Sequence, residues 1–461
     1  MALVVEELEA ALGAGEVLCG EAAKEKAHSR WTRLGAPLAI VRPRTTREVS
    51  QVLSIAHRHG QPVIPWGGLT GLVDGAYADG AVALSLERMR RIERVDPVER
   101  TMTVEAGCTL QAACEAAEAE GLFLAIDLGA RGSATIGGNV STNAGGNRVL
   151  RWGMTRENVL GLEVVLADGQ VVGSLNTLLK NNAGYDVKHL FIGAEGTLGV
   201  VTRAVLRLRP RPISQNTALV AVERFDRLPA LLAGASSGLG GVLSAFEVMW
   251  ADYYELVTTP PALGRAPLPP GQPFYVLVET LGGDPAGDAE RFERVLTGLL
   301  EQEVICDAAI AKSDSERKAI WGLRDDVGQV ARNGPTFAFD VSLRIGDMEA
   351  YLAEVRAALF DRWGEKSSLV VFGHLGDGNL HVIAGVGERT PEVRHAVETL
   401  VYEPLARIGG SISAEHGIGL QKREFLPMSR SPAELALMRQ VKAALDPKNI
   451  LNPGKVFEVA A

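Results

Sequence analysis

The sequence predicts an α+β protein with more than one domain. At 461 residues the chain is too long to fold around one small core, and two domains is the natural expectation. From residue 39 onward, short β-type runs alternate with helical segments along most of the chain. A hydrophobic content of 46% is that of an ordinary globular protein with a well-buried interior.

The first half begins with a helical segment and continues in short strands. Residues 1–33 are predicted helical because leucines recur among small and charged residues. Thr45 and Glu48 have the spacing of a capping box, which predicts a helix that runs to Gly60. The other predicted elements are strands at 61–65, 82–86, 92–95, 102–105, 159–166 and 199–208, and a helix at 110–121.

The second half predicts an α+β sandwich. Its Pro-rich stretch, residues 257–273, is interpreted as a loop inside this half and not as a hinge between domains. The predicted elements are strands at 274–281 and 336–343, helices at 288–301, 315–332, 347–363 and 391–408, and a hairpin at 372–381.

Charge and composition exclude several function classes. A net charge of −9 argues against a nucleic-acid-binding protein, since phosphate binding needs concentrated basic surface, and the arginines at 88–91 are interpreted as a solvated face. The four cysteines lack CxxC spacing and predict no disulfide framework, which fits a reducing compartment. The acidic N-terminal segment resembles neither a signal nor a transit peptide, and no apolar run approaches the ~18 residues of a membrane span. We expect a cytoplasmic protein without a transmembrane segment.

The segment Phe372-Gly-His-Leu-Gly-Asp-Gly-Asn-Leu-His381 predicts a β-hairpin that carries two histidines. Asp377-Gly378 suits a two-residue type I′ turn, because both central positions need positive φ. Opposed residues have Cβ atoms roughly 4.5–5.5 Å apart on one face, where two imidazoles can share one divalent metal. Histidines that bind substrate, or that only fill space, are the alternatives. The expected pairs are Gly376 with Asn379, Leu375 with Leu380, and His374 with His381.

A second polar segment, Ser413-Ala-Glu-His-Gly-Ile-Gly419, adds a carboxylate and an imidazole. Glu415 is a candidate third metal ligand, and small residues around His416 would let a substrate approach it. A buried histidine satisfied by its surroundings is the alternative for His416 taken alone. Its position beside Glu415 and before Gly417 favours a catalytic role.

Three clusters of small residues, at 67–71, 129–146 and 193–199, each follow a strand or precede a helix. Glycine lets backbone N–H groups approach an anionic diphosphate closely, because no Cβ intervenes. Turns are also rich in glycine, but three such clusters are better explained by one large, extended ligand. None has the form of a Rossmann fingerprint or a P-loop, so an NAD site of that type is not expected.

Three stretches of the chain resemble the FAD domain of the vanillyl-alcohol oxidase/p-cresol methylhydroxylase superfamily: Pro65-Trp-Gly-Gly-Leu-Thr-Gly71, Gly132-Ser-Ala-Thr-Ile-Gly-Gly-Asn-Val-Ser-Thr-Asn-Ala-Gly-Gly146 and Ile192-Gly-Ala-Glu-Gly-Thr-Leu-Gly199. With the hairpin histidines, Glu415-His416 and Asn452-Pro-Gly-Lys455, the resemblance narrows to the FAD-linked D-2-hydroxyacid dehydrogenases. That family includes D-lactate dehydrogenase, the glycolate oxidase catalytic subunit and D-2-hydroxyglutarate dehydrogenase. The resemblance spans about residues 35–457.

The resemblance implies a two-subdomain FAD-binding domain plus an α+β cap domain. The FAD-binding domain would comprise residues 1–210, the substrate or cap domain residues 211–409, and residues 410–461 would return to the FAD domain and complete the active site. Covalently flavinylated relatives carry a histidine in the first glycine loop, where this chain has Leu69 and Thr70, so a dissociable, non-covalent FAD is expected. The residues implied to bind FAD are Pro65, Trp66, Gly67, Gly68, Leu69, Thr70, Gly71, Leu128, Gly129, Ser133, Thr135, Ile136, Gly137, Gly138, Asn139, Ser141, Thr142, Asn143, Gly145, Gly146, Glu195, Gly196, Gly199, Val200 and Asn452.

The resemblance also implies a divalent metal bound by His374, His381 and Glu415, with zinc expected and manganese as the alternative. Two neutral imidazoles and one carboxylate leave coordination positions open, as catalytic zinc sites do. A metal on the 2-hydroxyl of the substrate would stabilise developing alkoxide. His416 would take the hydroxyl proton as general base, since imidazoles titrate near neutral pH, and the Cα hydrogen would leave as hydride to flavin N5.

Two further residues are implied to contact substrate, Arg324 and Asn379. Arg324 matches the arginine with which the family holds the substrate carboxylate, and its planar fork suits a bidentate contact. The alternative for Arg324 is a surface ion pair on a helix with one of the two aspartates that follow it.

One departure from the family pattern bears on the substrate. Relatives that oxidise the dicarboxylate 2-hydroxyglutarate carry a lysine in a strand before an aspartate, where this chain has Ala338. Phe337 and Phe339 would suit a monocarboxylate with a small or apolar side chain, such as lactate, 2-hydroxybutyrate or mandelate. A dicarboxylate stays open through Arg344 or Arg332.

The leading hypothesis is therefore a metal-assisted FAD dehydrogenase of D-2-hydroxy acids that passes electrons to an acceptor other than NAD. Electron-transfer flavoprotein, a quinone or a cytochrome are the candidate acceptors, and a homodimer is one option for assembly. The rivals are an oxygen-reducing oxidase and a non-catalytic flavin-binding subunit of a glycolate-oxidising complex. Such a subunit should have lost the hairpin histidines and the Glu415-His416 pair. An NADPH-dependent reductase would have no reason to keep the metal-binding pattern.

Overall fold

The computed structural model describes residues 2–458, which fold as two compact units. Unit 1 contains the chain up to Gly146, Gly153–Arg211 and the chain from Glu415 onward. Unit 2 contains Asn147–Trp152 and Pro212–Ala414. The boundaries expected from the sequence lay after residues 210 and 409, and the short segment at 147–152 was not separated from its neighbours.

The strands are β1 (Val17–Leu18), β2 (Ala39–Val41), β3 (Val63–Trp66), β4 (Val82–Ser85), β5 (Ile92–Asp96), β6 (Thr101–Glu105), β7 (Leu122–Phe123), β8 (Val159–Val165), β9 (Val171–Ser174), β10 (Val200–Arg207), β11 (Arg209–Pro210), β12 (Ser214–Val222), β13 (Leu243–Trp250), β14 (Phe274–Gly282), β15 (Asp307–Ile310), β16 (Thr336–Ser342), β17 (Ser368–Gly373) and β18 (Asn379–Gly385). The helices are α1 (Ala2–Leu12), α2 (Gly20–Lys26), α3 (Thr46–His59), α4 (Leu110–Ala119), α5 (Ile136–Thr142), α6 (Val149–Trp152), α7 (Thr155–Asn158), α8 (Arg227–Gly238), α9 (Ala251–Thr258), α10 (Pro285–Glu301), α11 (Asp314–Asp325), α12 (Met348–Trp363), α13 (Pro391–Ile408) and α14 (Pro432–Leu445). The mixed helix and sheet content confirms the predicted α+β class.

In the described part of unit 1, two larger sheets share one apolar core. The first has the order β1-β2-β4-β3 with parallel pairing of β4 to both β2 and β3, and the second is an antiparallel sheet of order β5-β6-β10-β8-β9. The helix predicted from Thr45 is confirmed: its hydroxyl accepts the N–H of Glu48 at 3.2 Å, and Gly60 ends the helix in the left-handed conformation. The helical segment predicted for 1–33 is wrong. The strand β1 lies between α1 and α2 and pairs with β2.

Unit 2 is built on one antiparallel sheet of order β15-β12-β14-β13-β17-β18-β16. Helices α9 and α11 contribute Tyr253, Ile320 and Leu323 to the core on one face of this sheet. The helix predicted at 315–332 ends at Asp325, and a 3₁₀ segment, Val327–Asn333, follows it.

Strand register places a row of polar side chains on that same face of the sheet. Asp340, His381 and Phe372 lie opposite one another on β16, β18 and β17, and Phe372 lies beside Met249 on β13. Since side chains two residues apart share a face, Glu247 on β13 lies on the same face of the sheet as this row. Cross-strand pairing adds Glu279 on β14, which lies opposite Ala245.

The expectation that Phe337 and Phe339 shape the substrate pocket is wrong. They alternate with Asp340 along β16 and therefore lie on the opposite face, where Phe339 meets Tyr402 of α13 edge to face with ring centroids 5.5 Å apart. Ala338 lies on the polar face with Asp340, and it is exposed.

The four cysteines are all described and are free. Among residues 2–458, no helix is both long and apolar enough to cross a bilayer.

Candidate active site

Unit 1 contains a cavity of about 350 Å³ lined by all three glycine-rich segments. Its wall also includes Glu415, His416 and Asn452 from the C-terminal part of the chain. The residues implied to bind FAD that line this cavity are Pro65, Trp66, Gly67, Gly68, Leu69, Thr70, Gly71, Leu128, Gly129, Thr135, Gly137, Gly138, Asn139, Ser141, Thr142, Gly145, Glu195, Gly196, Gly199, Val200 and Asn452.

Four implied FAD contacts do not line the cavity, and each has another place. Ser133 is exposed, and Ile136 is buried in the apolar core. Asn143 ends α5 and accepts the N–H of Arg156 through its side chain at 2.9 Å. Gly146 donates its N–H to a carboxylate oxygen of Glu415 at 2.6 Å, so it positions a cavity residue.

The glycines of the first loop allow close packing of one loop on another. A Cβ at Gly68 would collide with the carbonyl oxygen of Ser133, and one at Gly67 would lie 2.7 Å from the hydroxyl of Thr135. These glycines therefore bring the loop that follows β3 against the start of α5. The sequence pattern alone predicts only that these glycines let a ligand approach closely.

Glu195 organises the segment that follows His416. Its carboxylate, which lines the cavity, accepts the N–H groups of Ile418 at 2.7 Å and Gly419 at 2.8 Å. Burial raises the pKa of Glu195 above its ordinary value, although the two N–H groups oppose this. A Cβ at Gly417 would lie 2.8 Å from the same carboxylate, so the segment needs glycine at that position.

The cavity wall presents polar atoms that fit a cofactor with many hydrogen-bonding groups. Asn452 donates to the carbonyl oxygens of Gly75 at 3.1 Å and Glu195 at 2.7 Å, which fixes its side chain at the wall. Its Oδ1 atom and the Nδ2 atom of Asn139 are buried and have no hydrogen-bond partner among the described residues. Buried polar groups normally have partners, so these two atoms indicate a ligand.

Unit 2 carries a second group of polar side chains, Arg324, Glu247 and His374, on this face of its sheet. Arg324 donates from Nε to Glu247 at 2.8 Å, and Nδ1 of His374 lies 2.7 Å from the other oxygen of that carboxylate. Arg324 is 5% exposed, so the alternative of a surface ion pair on a helix is wrong. Its guanidinium also lies 4.9 Å from the ring centroid of Phe372.

The charges of this cluster stabilise one another. Burial alone would raise the pKa of Glu247, but the adjacent His374 and Arg324 outweigh burial and hold it below its ordinary value. Burial likewise opposes the charge of Arg324, and Glu247 nevertheless raises the pKa of the guanidinium. The cluster is thus a buried ion pair in contact with an imidazole.

The histidine hairpin forms, but its register differs from the prediction. His381 lies opposite Phe372 instead of His374, because the connection includes the 3₁₀ segment Leu375–Asp377 and is longer than two residues. The partner of His381 is thus two residues earlier in the chain than predicted. An even shift keeps each side chain on its predicted face of the sheet, because side chains alternate between faces with period two. The rings of His374 and His381 therefore still meet, with centroids 5.4 Å apart.

Asp340 connects three parts of this site in unit 2. It accepts the side-chain amide of Asn379 at 2.8 Å and the N–H of Ala414 at 3.1 Å, and it lies 4.0 Å from Nδ1 of His381. Oδ1 of Asn379 is buried and has no hydrogen-bond partner among the described residues. Ala414 is followed directly in sequence by Glu415, the predicted metal ligand, and His416, the predicted base.

No sequence motif predicts a role for Glu247 or Glu279. Glu247 lies within the mostly apolar run Leu243-Ser-Ala-Phe-Glu-Val-Met-Trp250, and a single charged residue in such a run is the signal that could have identified it. Its two partners are 77 and 127 residues away in sequence, so only the fold reveals them.

Two family models match consecutive parts of the chain. Residues 37–174 match the model described as FAD binding domain, and residues 211–456 match the model described as FAD linked oxidases, C-terminal domain.

Several curated relatives are similar over nearly the whole chain. A D-2-hydroxyglutarate dehydrogenase of Xanthomonas citri pv. viticola is 42% identical over 93% of this chain and 91% of the relative. The mitochondrial D-2-hydroxyglutarate dehydrogenase of Bos taurus is 40% identical over 97% of this chain and 82% of the relative.

Solved structures share the fold at low sequence identity. p-Cresol methylhydroxylase with substrate bound superimposes with a TM-score of 0.79 at 18% identity, covering 99% of this chain and 97% of that one. An alkyldihydroxyacetonephosphate synthase structure gives a TM-score of 0.76 at 17% identity, covering 98% of this chain and 86% of that one.

Proposed function

Because this chain belongs to the FAD-linked oxidase family that includes the D-2-hydroxyglutarate dehydrogenases, we propose that it oxidises a D-2-hydroxy monocarboxylate with FAD and a divalent metal. Its enzyme class is FAD-dependent D-2-hydroxyacid dehydrogenase. The observation that carries the proposal is the buried cluster of Arg324, Glu247 and His374 beside His381. That cluster combines an anion-binding cation with two imidazoles.

The donor set fits a catalytic metal. We assign His374, His381 and Glu415 as ligands, with zinc favoured and manganese as the alternative, since two nitrogens and one carboxylate leave coordination positions open. The ring separation of the two histidines supports this assignment. For Glu415 the support is the chain connection through Ala414, which is hydrogen-bonded to Asp340. A bound divalent cation would supply Lewis-acid stabilisation of negative charge on the 2-hydroxyl oxygen.

The chain's own side chains would bind substrate and move its proton. Arg324 would hold the substrate carboxylate through the donors that Glu247 leaves, and Oδ1 of Asn379 offers a buried acceptor. A ring nitrogen of His416 would accept the proton of the 2-hydroxyl group. The hydrogen on the α carbon would leave with its electron pair, as hydride, so that the 2-oxo acid forms.

The cavity of unit 1 is the proposed FAD site, and the unpartnered atoms of Asn139 and Asn452 support it. FAD bound there would supply the hydride acceptor. We propose non-covalent binding, since Leu69 and Thr70 stand where flavinylated relatives carry histidine.

The monocarboxylate preference rests on Ala338, which lies on the polar face of β16 where a lysine would face the site. The two arginines considered for a distal carboxylate are engaged elsewhere: Arg332 donates to carbonyl oxygens at the end of α9, and Arg344 pairs with Asp347 at the surface. The rival substrate is D-2-hydroxyglutarate, which the names of the curated relatives favour.

We further propose an acceptor other than NAD, such as electron-transfer flavoprotein, a quinone or a cytochrome, and a cytoplasmic location. A homodimer is one option for the assembly. Reduction of oxygen is the alternative for the second half-reaction. Reoxidation of the substrate-reduced flavin in air, followed by stopped flow, separates an oxidase from a dehydrogenase by rate.

The experiment that tests the proposal is a dye-linked assay with D- and L-lactate, 2-hydroxybutyrate, mandelate and 2-hydroxyglutarate. We expect turnover with D enantiomers only, kcat/KM higher for the monocarboxylates, and loss of turnover in a chelator that is restored by Zn²⁺ or Mn²⁺. Chelator-resistant turnover would refute the metal. Higher kcat/KM for D-2-hydroxyglutarate would refute the substrate preference and leave the enzyme class intact.

A further inference from the structure

Glu247 makes two contacts that neither the sequence nor the family comparison assigns. It is 1% exposed, on β13, and each carboxylate oxygen has its own partner. One oxygen lies 2.7 Å from Nδ1 of His374, and the other accepts Nε of Arg324 at 2.8 Å. One side chain thus touches both a proposed metal ligand and the proposed substrate anchor.

These contacts determine the tautomer of His374. A carboxylate can only accept hydrogen bonds, so Nδ1 of His374 must carry the proton. On the other side of the ring, Nε2 lies 3.3 Å from Nη2 of Arg324, and a guanidinium can only donate. Both neighbours therefore require the neutral tautomer with its lone pair on Nε2, the atom that could bind a metal.

The same carboxylate fixes the orientation of Arg324. It binds Nε, one of the five N–H donors of the guanidinium, while Phe372 packs against the guanidinium plane at 4.9 Å. With Nε bound to Glu247 and the guanidinium packed on Phe372, the orientation of the guanidinium plane is fixed, and its remaining N–H donors lie in that plane. That restriction suits bidentate binding of a planar carboxylate.

We propose that Glu247 is a positioning residue that sets the tautomer of His374 for metal binding and the orientation of Arg324 for the substrate carboxylate. The inference rests on the proposed function, because it presumes the bound metal and the binding of the substrate carboxylate by Arg324. It goes further in assigning both to one buried side chain.

The chain provides a matched control on the neighbouring strand. Glu279 on β14 shares the face of the sheet with Glu247 and is 0% exposed. It also pairs with an arginine, Arg148, at 2.5 Å, and it accepts from Thr217 and Trp321. E279Q thus removes a buried carboxylate charge from beside an arginine, as E247Q does, but the described partners of Glu279 include no histidine.

The test compares E247Q, E247D and E279Q with the wild-type protein in Zn²⁺ titrations against a chromophoric chelator. In E247Q we expect the amide oxygen to face Arg324, since a hydrogen bond from a charged donor is stronger than one from a neutral imidazole, so the amide NH₂ faces Nδ1 of His374. The proton then moves to Nε2, and we expect Zn²⁺ affinity to fall about 10- to 100-fold, as for other outer-shell partners of metal ligands. E279Q should keep wild-type affinity.

E247D separates the tautomer from simple packing. Aspartate is shorter than glutamate but still only accepts, whereas glutamine has the shape of glutamate and the wrong donor. We expect E247D to bind Zn²⁺ more tightly than E247Q, and a packing role predicts the reverse order. KM for the hydroxy acid should rise in E247D, because a shorter side chain cannot hold both partners.

Flavin content and thermal unfolding of each variant report whether it is folded. Equal Zn²⁺ affinity of E247Q and wild type overturns the inference, as does E247Q binding better than E247D or an equal loss in E279Q. Wild-type protein that takes up neither Zn²⁺ nor Mn²⁺ overturns the proposed metal and the inference with it. Wild-type uptake with normal uptake by E247Q overturns the inference alone.

Discussion

Introducing a lysine at position 338 should convert the proposed preference for a monocarboxylate into a preference for D-2-hydroxyglutarate. Ala338 is exposed on the polar face of β16, opposite Ile383 and two residues from Asp340, which itself lies opposite His381. Diagonal neighbours on a sheet face are ≈ 7–8 Å apart, a distance that the four-carbon stem of lysine can span. The ammonium of A338K would then reach a carboxylate on the far end of a substrate held at this site.

The size of the effect follows from the hydrogen bond that the new ammonium would donate to the distal carboxylate. A hydrogen bond to a charged group contributes about 1.5–3 kcal/mol, which corresponds to about 10- to 150-fold in kcat/KM for 2-hydroxyglutarate relative to lactate. The lower end is expected, because Asp340 would compete for the new ammonium. Since position 338 is exposed, thermal stability should change little.

The assay is the dye-linked rate with both substrates for wild type, A338K and A338M. Methionine adds a flexible stem without the charge, so the comparison isolates the ammonium. An equal substrate ratio in A338K and A338M would refute the placement of position 338 at the distal end of the substrate.

Three further predictions follow from the site and its supports. H416A should lose turnover yet keep its flavin, and a normal rate of flavin reduction in this variant would remove His416 as the base. G68A should lower the flavin content, measured by flavin absorbance, and should reduce the free energy of unfolding in urea by about 1–3 kcal/mol through overpacking. G132A is the control and should resemble wild type, because a Cβ at Gly132 would meet nothing within 4 Å. Burial and the nearby Arg423 lower the pKa of Lys455 to about 8, so the folded state binds the lysine proton more weakly than the unfolded state does. The free energy of unfolding of wild type relative to K455M should therefore fall as the pH drops from about 10.5 towards 8. Urea unfolding in which this difference does not change with pH would contradict the prediction.

Sequence alone predicted those parts of the site that depend on local pattern. The hairpin register was wrong by two residues, yet His374 and His381 meet because strands alternate with period two and an even shift preserves the face. Phe337 and Phe339 failed as pocket residues for the same reason, since their parity opposes that of Asp340.

The rest could not be predicted, because it depends on contacts far apart in sequence. The partners of Glu247 become apparent only when β13 lies beside β17, the strand that precedes His374, and near α11, the helix that carries Arg324. The glycines at 67 and 68 could be predicted to lie near a ligand, but their packing against the start of α5 depends on tertiary structure.

The cavity of unit 1 has a consequence for biosynthesis. Its lining begins at Thr32 and includes Asn452, so its wall is incomplete until translation has passed residue 452. Unit 2 ends at Ala414 and can fold earlier on the ribosome. Nascent chains stalled shortly before residue 452 should therefore resist protease in unit 2 and still fail to retain flavin.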